Sequence, residues 1–184
     1  MDGKKFYTGR GDSGYTDLLG ARVPKHHPTT EFIGTLDEAT SQIGMARALA
    51  SAERTKEILL GVQRDLYTIM AELAFVSEEL AEKYRIGGEH LERLEQATDE
   101  VAAEAQIGRD FIVPGDTVPG AALDVARTVV RRAERLGTAL AHNGDLRNET
   151  ILAYLNRLSS LLFALGRYED RAAGVSPTIA KERD

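Results

Sequence analysis

The stretch AALDVARTVVRRAER, Ala121–Arg135, is the segment that best defines the fold of this 184-residue chain. Its apolar residues recur at intervals of three and four, the spacing of a helix that packs through one face; they are Leu123, Ala126, Val130 and Ala133. A second face carries a row of charges: Arg127, Arg131, Glu134 and Arg135, with Arg132 beside them. Guanidinium groups this close repel one another unless an anion neutralises them, so the row indicates either a solvated charged face or an anion site.

Helical spacing of apolar residues continues over most of the chain. It predicts five helices, at residues 29–50, 54–85, 89–107, 120–142 and 146–172. Pro28 precedes the first, Gly87 and Gly88 end the second, and Asp145 caps the fifth. No segment of any weight alternates with the period of a strand. The sequence therefore predicts an all-α, five-helix antiparallel bundle in a single domain (1–184), with a glycine-rich N-terminal loop (1–28), the bundle (29–172) and a flexible tail (173–184).

Composition narrows the function classes. The chain has no cysteine, which excludes disulfides, thiolate metal sites and a cysteine nucleophile. None of its four histidines follows a glutamate by three residues, so the Glu-x-x-His pattern of di-iron bundles is absent. A net charge of −6 disfavours nucleic acid as a partner, although a local basic face still suits a small anion. With neither a signal-peptide pattern nor an apolar run of about 18 residues, we expect a cytoplasmic protein with no membrane partner.

The first twenty residues are rich in glycine and hydroxyl groups. They contain Gly3, Gly9, Gly11, Gly14 and Gly20, together with Thr8, Ser13 and Thr16. Glycine lets backbone amides approach a ligand closely, so the combination suits phosphate. The Walker pattern is absent, because no Gly-Lys-Ser/Thr follows. An N-terminal segment without a ligand would have the same composition, so the residues alone leave both interpretations open.

Three features of the sequence together favour a polyphosphate site: the glycine-rich loop, Lys25 after it, and the arginine row. A nucleoside triphosphate fits these features, with magnesium bridging its oxygens. No side chain is an obvious nucleophile or tuned general base. The protein would therefore bind and orient its ligands, which make the bonds themselves.

Six short motifs occur in an order typical of one enzyme family. They are Tyr7-Thr8 with Gly11-Asp12-x-Gly14-x-Thr16, Arg22-Val23-Pro24-Lys25, Gly34-Thr35-Leu36-Asp37-Glu38, Phe111-Ile112-Val113-Pro114-Gly115, Ala126-Arg127-Thr128-x-x-Arg131-Arg132-Ala133-Glu134-Arg135 and Tyr154-x-Asn156-Arg157-Leu158-Ser159. Over about residues 6–171 the chain resembles the PduO-type ATP:cob(I)alamin adenosyltransferases. The arginine motif followed by the Asn-Arg-Leu-Ser motif is the specific part, whereas the second and third helices match in pattern only.

The resemblance implies a homotrimer with ATP and corrinoid sites between adjacent subunits. It also implies the reaction, in which cobalt(I) is the nucleophile, accepts the 5′-deoxyadenosyl group of ATP and releases triphosphate. Magnesium would be held mainly by the ATP phosphates. A cobalamin reductase and an adenosylcobalamin-dependent enzyme are further candidate partners.

The same resemblance implies the site residues. The ATP-binding set is Thr8, Gly9, Arg10, Gly11, Asp12, Gly14, Thr16, Lys25, Arg131, Arg132, Glu134, Arg135 and Asn156. The catalytic set is Arg127, Arg131, Phe111 and Asp37, in which Arg127 would pair with Asp37 of the partner subunit. Phe111 would also bind cobalamin, lying under the corrin and excluding a lower axial ligand. The alternative for Phe111 is that it plugs the end of the bundle core.

Three residues depart from the family pattern. Gly9 stands where lysine is usual, Asp116 where a second glycine is usual, and Ser160 where aspartate is usual. The last two belong to the corrin side of the site more than to the phosphate side. Two other functions remain open: a non-catalytic trimeric bundle that binds ATP as a sensor or corrinoid-delivery chaperone, and a structural bundle without a ligand.

Overall fold

Five long helices carry most of the chain, accompanied by a hairpin and two brief helical turns. The computed structural model describes residues 7–181. In chain order the elements are β1 (Tyr15–Leu18), β2 (Ala21–Pro24), α1 (Pro28–Leu49), α2 (Glu53–Ala74), α3 (Glu78–Ala81), a 3-10 turn (Glu82–Tyr84), α4 (Gly88–Ala105), α5 (Val118–His142) and α6 (Thr150–Ala172). The predicted all-α, five-helix fold is confirmed.

Both chain ends extend past the described residues. Residues 1–6 of the predicted N-terminal loop, including Gly3, and residues 182–184 of the predicted tail lie outside them. The division into loop, bundle and flexible tail stays a prediction.

The core lies between α1, α5 and α6, with α2 packed on α1 and α4 packed on α6. The apolar stripe predicted on α5 has no exposed surface; its members are Leu123, Ala126, Val130 and Ala133. The facing stripe of α6 is buried to the same degree and includes Ile151, Leu155, Leu158 and Leu162. Removing these side chains from water is the main favourable term in folding. Within residues 7–181, no helix is both long and apolar enough to cross a membrane.

Helix α5 approaches its neighbours most closely at Gly137. A Cβ atom there would lie 2.8 Å from Phe32 Cζ on α1 and 2.9 Å from Leu152 Cδ2 on α6. The missing side chain therefore lets three helices meet at one level. Any larger residue would force side chains or backbones apart.

The second helix is shorter than the sequence indicates. Helix α2 ends at Ala74 instead of continuing to residue 85, because Phe75 is extended with a ψ of 125°. The Val76 amide then donates to Leu19 O (3.0 Å), so this backbone pairs with the N-terminal hairpin. The apolar residues that would continue this helix at helical spacing, Val76 and Leu80, are 52% and 39% exposed. The prediction relied on apolar periodicity alone, and it therefore merged α2 with a loop and two separate helical turns into one helix.

The prediction that no strand forms is wrong for residues 15–24. Strands β1 and β2 pair antiparallel, with Tyr15 opposite Pro24 and Leu18 opposite Ala21. The two-residue turn between them contains Gly20 at φ +116°, an angle that side chains disfavour. Each strand has only four residues. Such a short segment gives no dependable alternating pattern, which is why periodicity missed it.

Candidate functional site

The arginine row lies on the outer face of α5. Arg131, Arg132 and Arg135 are exposed, and Arg127 is half-buried. Arg127 Nε donates to Asp124 Oδ1 (2.9 Å), one turn earlier on the same helix. Arg132 forms an ion pair with Glu38 on α1. Carboxylates of the same chain therefore hold two of the cations, and Arg131 lies between them in sequence.

Asn156, on the second turn of α6, is hydrogen-bonded to the charged face of α5. Its Nδ2 donates to Glu134 Oε1 (3.0 Å), and its Oδ1 accepts from Arg157 Nη1 (3.1 Å). Arg157 Nε donates in turn to Glu95 Oε1 on α4 (3.1 Å). Two predicted ATP-binding residues from different helices are thus joined directly, and Arg157 orients one of them.

Asp37 lies on the exposed side of α1. Its sequence neighbour Glu38 pairs with Arg132, and within the chain the carboxylate on Arg127 Nε is that of Asp124. The pairing expected between Asp37 and Arg127 of a partner subunit stays a prediction.

Backbone hydrogen bonds fold the glycine-rich segment into successive turns. The Asp12 amide donates to Gly9 O (3.2 Å), the Gly14 amide to Gly11 O (3.1 Å) and the Lys25 amide to Gly14 O (2.9 Å). Gly9 and Gly14 have φ angles of +69° and +81°, which L side chains rarely adopt. A Cβ on Gly11 would lie 3.1 Å from Lys25 Nζ, so the ammonium group rests against this glycine. The loop and Lys25 therefore form one structural unit.

Three other residues predicted to contact ATP belong to the same unit. Thr8 Oγ1 accepts from the Arg10 amide (3.3 Å), and both side chains are exposed. Thr16 lies within β1, paired with Val23 of β2. The hairpin thus fixes one end of the loop while the other end is open to solvent.

Arg22 ties this unit together, although its residue type alone indicated no such role. Its Nη2 donates to Arg10 O (2.9 Å) and to Ser13 Oγ (3.4 Å), and its Nη1 donates to Asp17 Oδ1 (3.4 Å). One guanidinium therefore bridges the loop and β1. The only sequence signal was its place in the motif that ends at Lys25.

The hairpin is docked on the C-terminal end of α2. The Leu19 amide donates to Ala74 O (3.0 Å), and Leu19 O accepts from the Val76 amide (3.0 Å). Arg147, in the connection between α5 and α6, donates to the carbonyls of Phe75 and Val76 and so fixes the segment that receives the hairpin. The loop and the arginine row are therefore anchored to different parts of the chain.

Phe111 projects from the loop between α4 and α5 and is 87% exposed. It is not part of the core, so the expected alternative of a core plug is wrong. The loop is held by the C-terminal segment: the Val113 amide donates to Thr178 O (2.8 Å), and the Ala180 amide donates to Phe111 O (2.8 Å). The ring is thus presented to solvent from a paired backbone.

A buried ion-pair network connects the arginine row with the end of this loop. Arg167 on α6 is 5% exposed, and its Nη2 lies 3.3 Å from Asp124 Oδ2 and 2.9 Å from Asp170 Oδ2. Asp124 also holds Arg127, and Asp170 Oδ1 accepts from the hydroxyl of Thr117 at the start of α5 (2.6 Å). Because a buried charge that loses its partner is costly, the network fixes Arg127 relative to the loop. The contact between α5 and α6 spans 43 residues, and no local spacing indicated it.

Two buried groups elsewhere have shifted pKa values. Burial, reinforced by Asp65, raises the pKa of Tyr154 well above its usual value; the tyrosine hydroxyl donates to Asp65 Oδ2 (2.9 Å). Burial also raises the pKa of Glu72. Two hydrogen bonds of 3.2 Å, from the Ile86 amide and Asn148 Nδ2, act in the opposite direction but do not cancel the effect of burial. Within the described part of the chain, no group of three or more histidines and carboxylates is arranged to hold a metal ion.

The chain is similar to a group of named enzymes. A family model described as cobalamin adenosyltransferase matches residues 6–169. The corrinoid adenosyltransferase PduO of Salmonella typhimurium is 40% identical over 91% of this chain and 50% of its own length, so the chain spans half of that relative. The corrinoid adenosyltransferase of Bacillus subtilis is 38% identical over 93% of this chain and 89% of its own.

Solved structures of one similar enzyme share the whole fold. A variant of the PduO-type ATP:corrinoid adenosyltransferase from Lactobacillus reuteri, complexed with cobalamin and ATP, has a TM-score of 0.87 at 28% identity and covers 98% of each chain. A different variant of that enzyme, complexed with ATP, has a TM-score of 0.85 at 28% identity, over 96% of this chain and 100% of its own.

Proposed function

The chain belongs to the cobalamin adenosyltransferase family, and we propose that it transfers the 5′-deoxyadenosyl group of ATP to cob(I)alamin, giving adenosylcobalamin and triphosphate. The observation that carries the proposal is the charged face of α5. Exposed Arg131 and Arg135 lie one turn apart on it, beside the hydrogen bond that joins Glu134 to Asn156. Guanidinium groups at this spacing suit the oxygens of a triphosphate.

The reaction needs no nucleophile from the protein. Cobalt(I) attacks C5′ of ATP, and its electron pair forms the cobalt–carbon bond of the cobalt(III) product. The C5′–O bond breaks, and its electrons go to the oxygen of the departing triphosphate. Negative charge therefore grows on the triphosphate in the transition state, where Arg131 and its neighbours would stabilise it.

ATP would be held by two parts of the protein. The turns at Gly9, Gly11 and Gly14 place the loop backbone against the ammonium group of Lys25, which would meet the phosphate oxygens. Arg131 and Asn156 would contact ATP from the helices. Magnesium would enter with ATP, since this ion keeps phosphate oxygens and waters as most of its ligands.

The proposed active unit is a homotrimer with sites shared between adjacent subunits. The loop is anchored at the end of α2, whereas the arginine row lies midway along α5. Exposed apolar side chains on α1 and α5 support a contact with a second copy; they are Met45, Leu49, Val118 and Val125. Asp37, also exposed on α1, would complete the site of the partner subunit.

Phe111 would cover the lower face of the corrin. Its exposed ring suits contact with a flat apolar ligand. Covering that face keeps water and the ligand's own base from cobalt(II), and the four-coordinate ion then accepts an electron more easily from a one-electron reductant. A cobalamin reductase would supply the electron, and an adenosylcobalamin-dependent enzyme would take the product. The cytoplasmic location stays a prediction.

The proposal is tested by incubating the protein anaerobically with ATP, magnesium and chemically reduced cobalamin. We expect the absorption spectrum of a cobalt–carbon product and one triphosphate released for each adenosylcobalamin formed. ATP binding in calorimetry without either product would overturn the enzyme and leave the sensor or chaperone. Absence of ATP binding would overturn both.

A further inference from the structure

The C-terminal segment 175–181 runs beside the loop that carries Phe111. An antiparallel bridge pairs Ile112 with Ile179, and the flanking backbone hydrogen bonds are those from Val113 to Thr178 O and from Ala180 to Phe111 O, each of 2.8 Å. Segment 175–181, which follows the last helix of the bundle, is therefore paired with the loop through a single β-bridge and its two flanking hydrogen bonds.

This pairing explains why Phe111 points outward. Successive side chains of an extended strand point to opposite faces. Ile112 lines a cavity of about 180 Å³ with Arg167, Val175 and Pro177. Its neighbour Phe111 is therefore directed away from the cavity, in agreement with its 87% exposure.

Asp116 joins the two segments through side-chain contacts. Its Oδ2 accepts from the Thr178 amide (3.0 Å) and its Oδ1 accepts from the Thr178 hydroxyl (2.6 Å). These two hydrogen bonds lower the pKa of Asp116, so the carboxylate that accepts them is the ionised form. The preceding Gly115, at φ +122°, turns the chain so that the carboxylate reaches Thr178. Asp116 is also the residue that stands where the family pattern has glycine.

We propose that Asp116 is a positioning residue: by holding Thr178 it keeps segment 175–181 paired with the loop, and that pairing sets the direction of Phe111. The role in turnover rests on the proposed function, in which Phe111 covers the corrin. Both hydrogen bonds of the Asp116 carboxylate go to Thr178, and neither goes to the arginine row or the glycine-rich loop. Its removal should therefore change the cobalt(II) step and leave ATP binding as it was.

The first measurement is amide hydrogen exchange at Val113 and Ala180. Asp116→Ala removes both acceptors, Asp116→Asn keeps one carbonyl oxygen, and Thr178→Val removes only the hydroxyl. We expect exchange at both amides to rise about tenfold in Asp116→Ala and less in the other two, because each hydrogen bond contributes modestly. Thr68→Val is the matched control, since its hydroxyl donates only to Arg64 O of its own helix (3.1 Å).

The second measurement compares turnover from cobalt(II) with a reductant against turnover from pre-reduced cobalt(I). We expect Phe111→Ala to show the largest selective loss of the cobalt(II) rate, and it serves as the reference. Asp116→Ala should lower the cobalt(II) rate about three- to tenfold, on the scale of one or two hydrogen bonds, and change the cobalt(I) rate less than twofold. Paramagnetic resonance of the ATP-bound cobalt(II) complex should show a smaller four-coordinate fraction in Asp116→Ala and Phe111→Ala than in Thr68→Val.

The outcomes separate the two proposals. Faster exchange together with selective loss of the cobalt(II) rate supports the positioning role. Unchanged exchange in both Asp116→Ala and Thr178→Val overturns the role of Asp116 in holding the segment against the loop, whatever the activity. If exchange is faster but the cobalt(II) and cobalt(I) rates change by the same factor relative to the wild type, the link to Phe111 is overturned. A wild-type protein that makes no adenosylcobalamin overturns the proposed function, and with it the catalytic half of this inference, while exchange still reports on the pairing.

Discussion

At the scale of single residues, the sequence could indicate the candidate ligand-binding residues but not the residues that hold them in place. Short motifs placed Arg131, Asn156 and Phe111 because each motif is local in sequence. The residues that fix them act over distance: Arg157 reaches Glu95, and Arg167 reaches Asp124 across two helices. Helical spacing within one segment carries no information about such partners, so these contacts can be identified only from the three-dimensional structure.

Arg131 is the residue whose chemistry is most directly testable. Arg131→Lys keeps the charge but loses the planar fork that can meet two phosphate oxygens. A charge-assisted hydrogen bond contributes about 1.5–3 kcal/mol, so we expect ATP affinity to fall about tenfold or more. Isothermal calorimetry with ATP and magnesium measures it, with Arg64→Lys, an exposed exchange on α2, as the control. Wild-type affinity and turnover in Arg131→Lys would show that the assigned role is wrong.

At the scale of elements, apolar periodicity identified every long helix but misplaced the end of α2 and the start of α6. Helix α6 begins at Thr150 with Glu149 at its N-cap, so the predicted start at residue 146 and the cap by Asp145 are wrong. The stripe on α5 is buried as predicted, because a packed helix must cover one face. Beyond Ala74 the helical spacing of apolar residues predicted helix where none continues. The backbone of Phe75 and Val76 instead pairs with Leu19, more than fifty residues earlier. Pairing between remote segments leaves no periodic trace in either of them.

Gly137 offers a test of how tightly the helices pack. A Cβ there would come within 3 Å of Phe32 and Leu152, so Gly137→Ala should destabilise the fold by about 1–3 kcal/mol through overpacking. Gly61→Ala on α2 has no atom within 4 Å of the added carbon and should instead stabilise by about 0.5–1 kcal/mol. Chemical denaturation of both variants measures the difference. A Gly137→Ala protein as stable as Gly61→Ala would mean that the three helices are not in close contact here.

Glu72 makes the stability of the α2 end depend on pH. Burial raises its pKa in the folded state above the usual 4.5. At pH values below 4.5 both states hold the proton. As pH rises, the unfolded state loses it first, and the folded state is progressively destabilised until Glu72 itself ionises. Glu72→Gln keeps an acceptor oxygen for Ile86 and Asn148 and cannot ionise.

The Glu72→Gln protein should therefore melt close to the wild type at pH 4 and above it at pH 7. Thermal unfolding across this range measures the difference, with Glu79→Gln, exposed on α3, as the control for loss of one surface charge. A difference that is constant with pH, or that shrinks as pH rises, would contradict the raised pKa of the buried carboxyl.

At the scale of the whole molecule, one chain holds both halves of the proposed ATP site but anchors them separately. Residues 8–25 are fixed to the end of α2, and the arginine row is fixed by α1 and α6. Order along the sequence could indicate both halves, since each is a compact motif. It could not indicate whether one chain or two complete the site, because that depends on how surfaces of α1 and α5 meet a second copy.

A charge swap between Asp37 and Arg127 tests the shared site. Asp37→Arg should weaken the trimer and turnover, because it would face Arg127 of the partner subunit with like charge. Arg127→Asp should cost more, since it also removes the 2.9 Å contact that satisfies buried Asp124. The double variant should recover part of the assembly, because paired charges couple non-additively. Sedimentation velocity and adenosylcobalamin formation measure both effects, with Asp99→Arg, at an exposed position of α4, as the control. A wild-type monomer with full activity would end the shared-site proposal, and a double variant no better than Arg127→Asp would show that these two side chains do not meet.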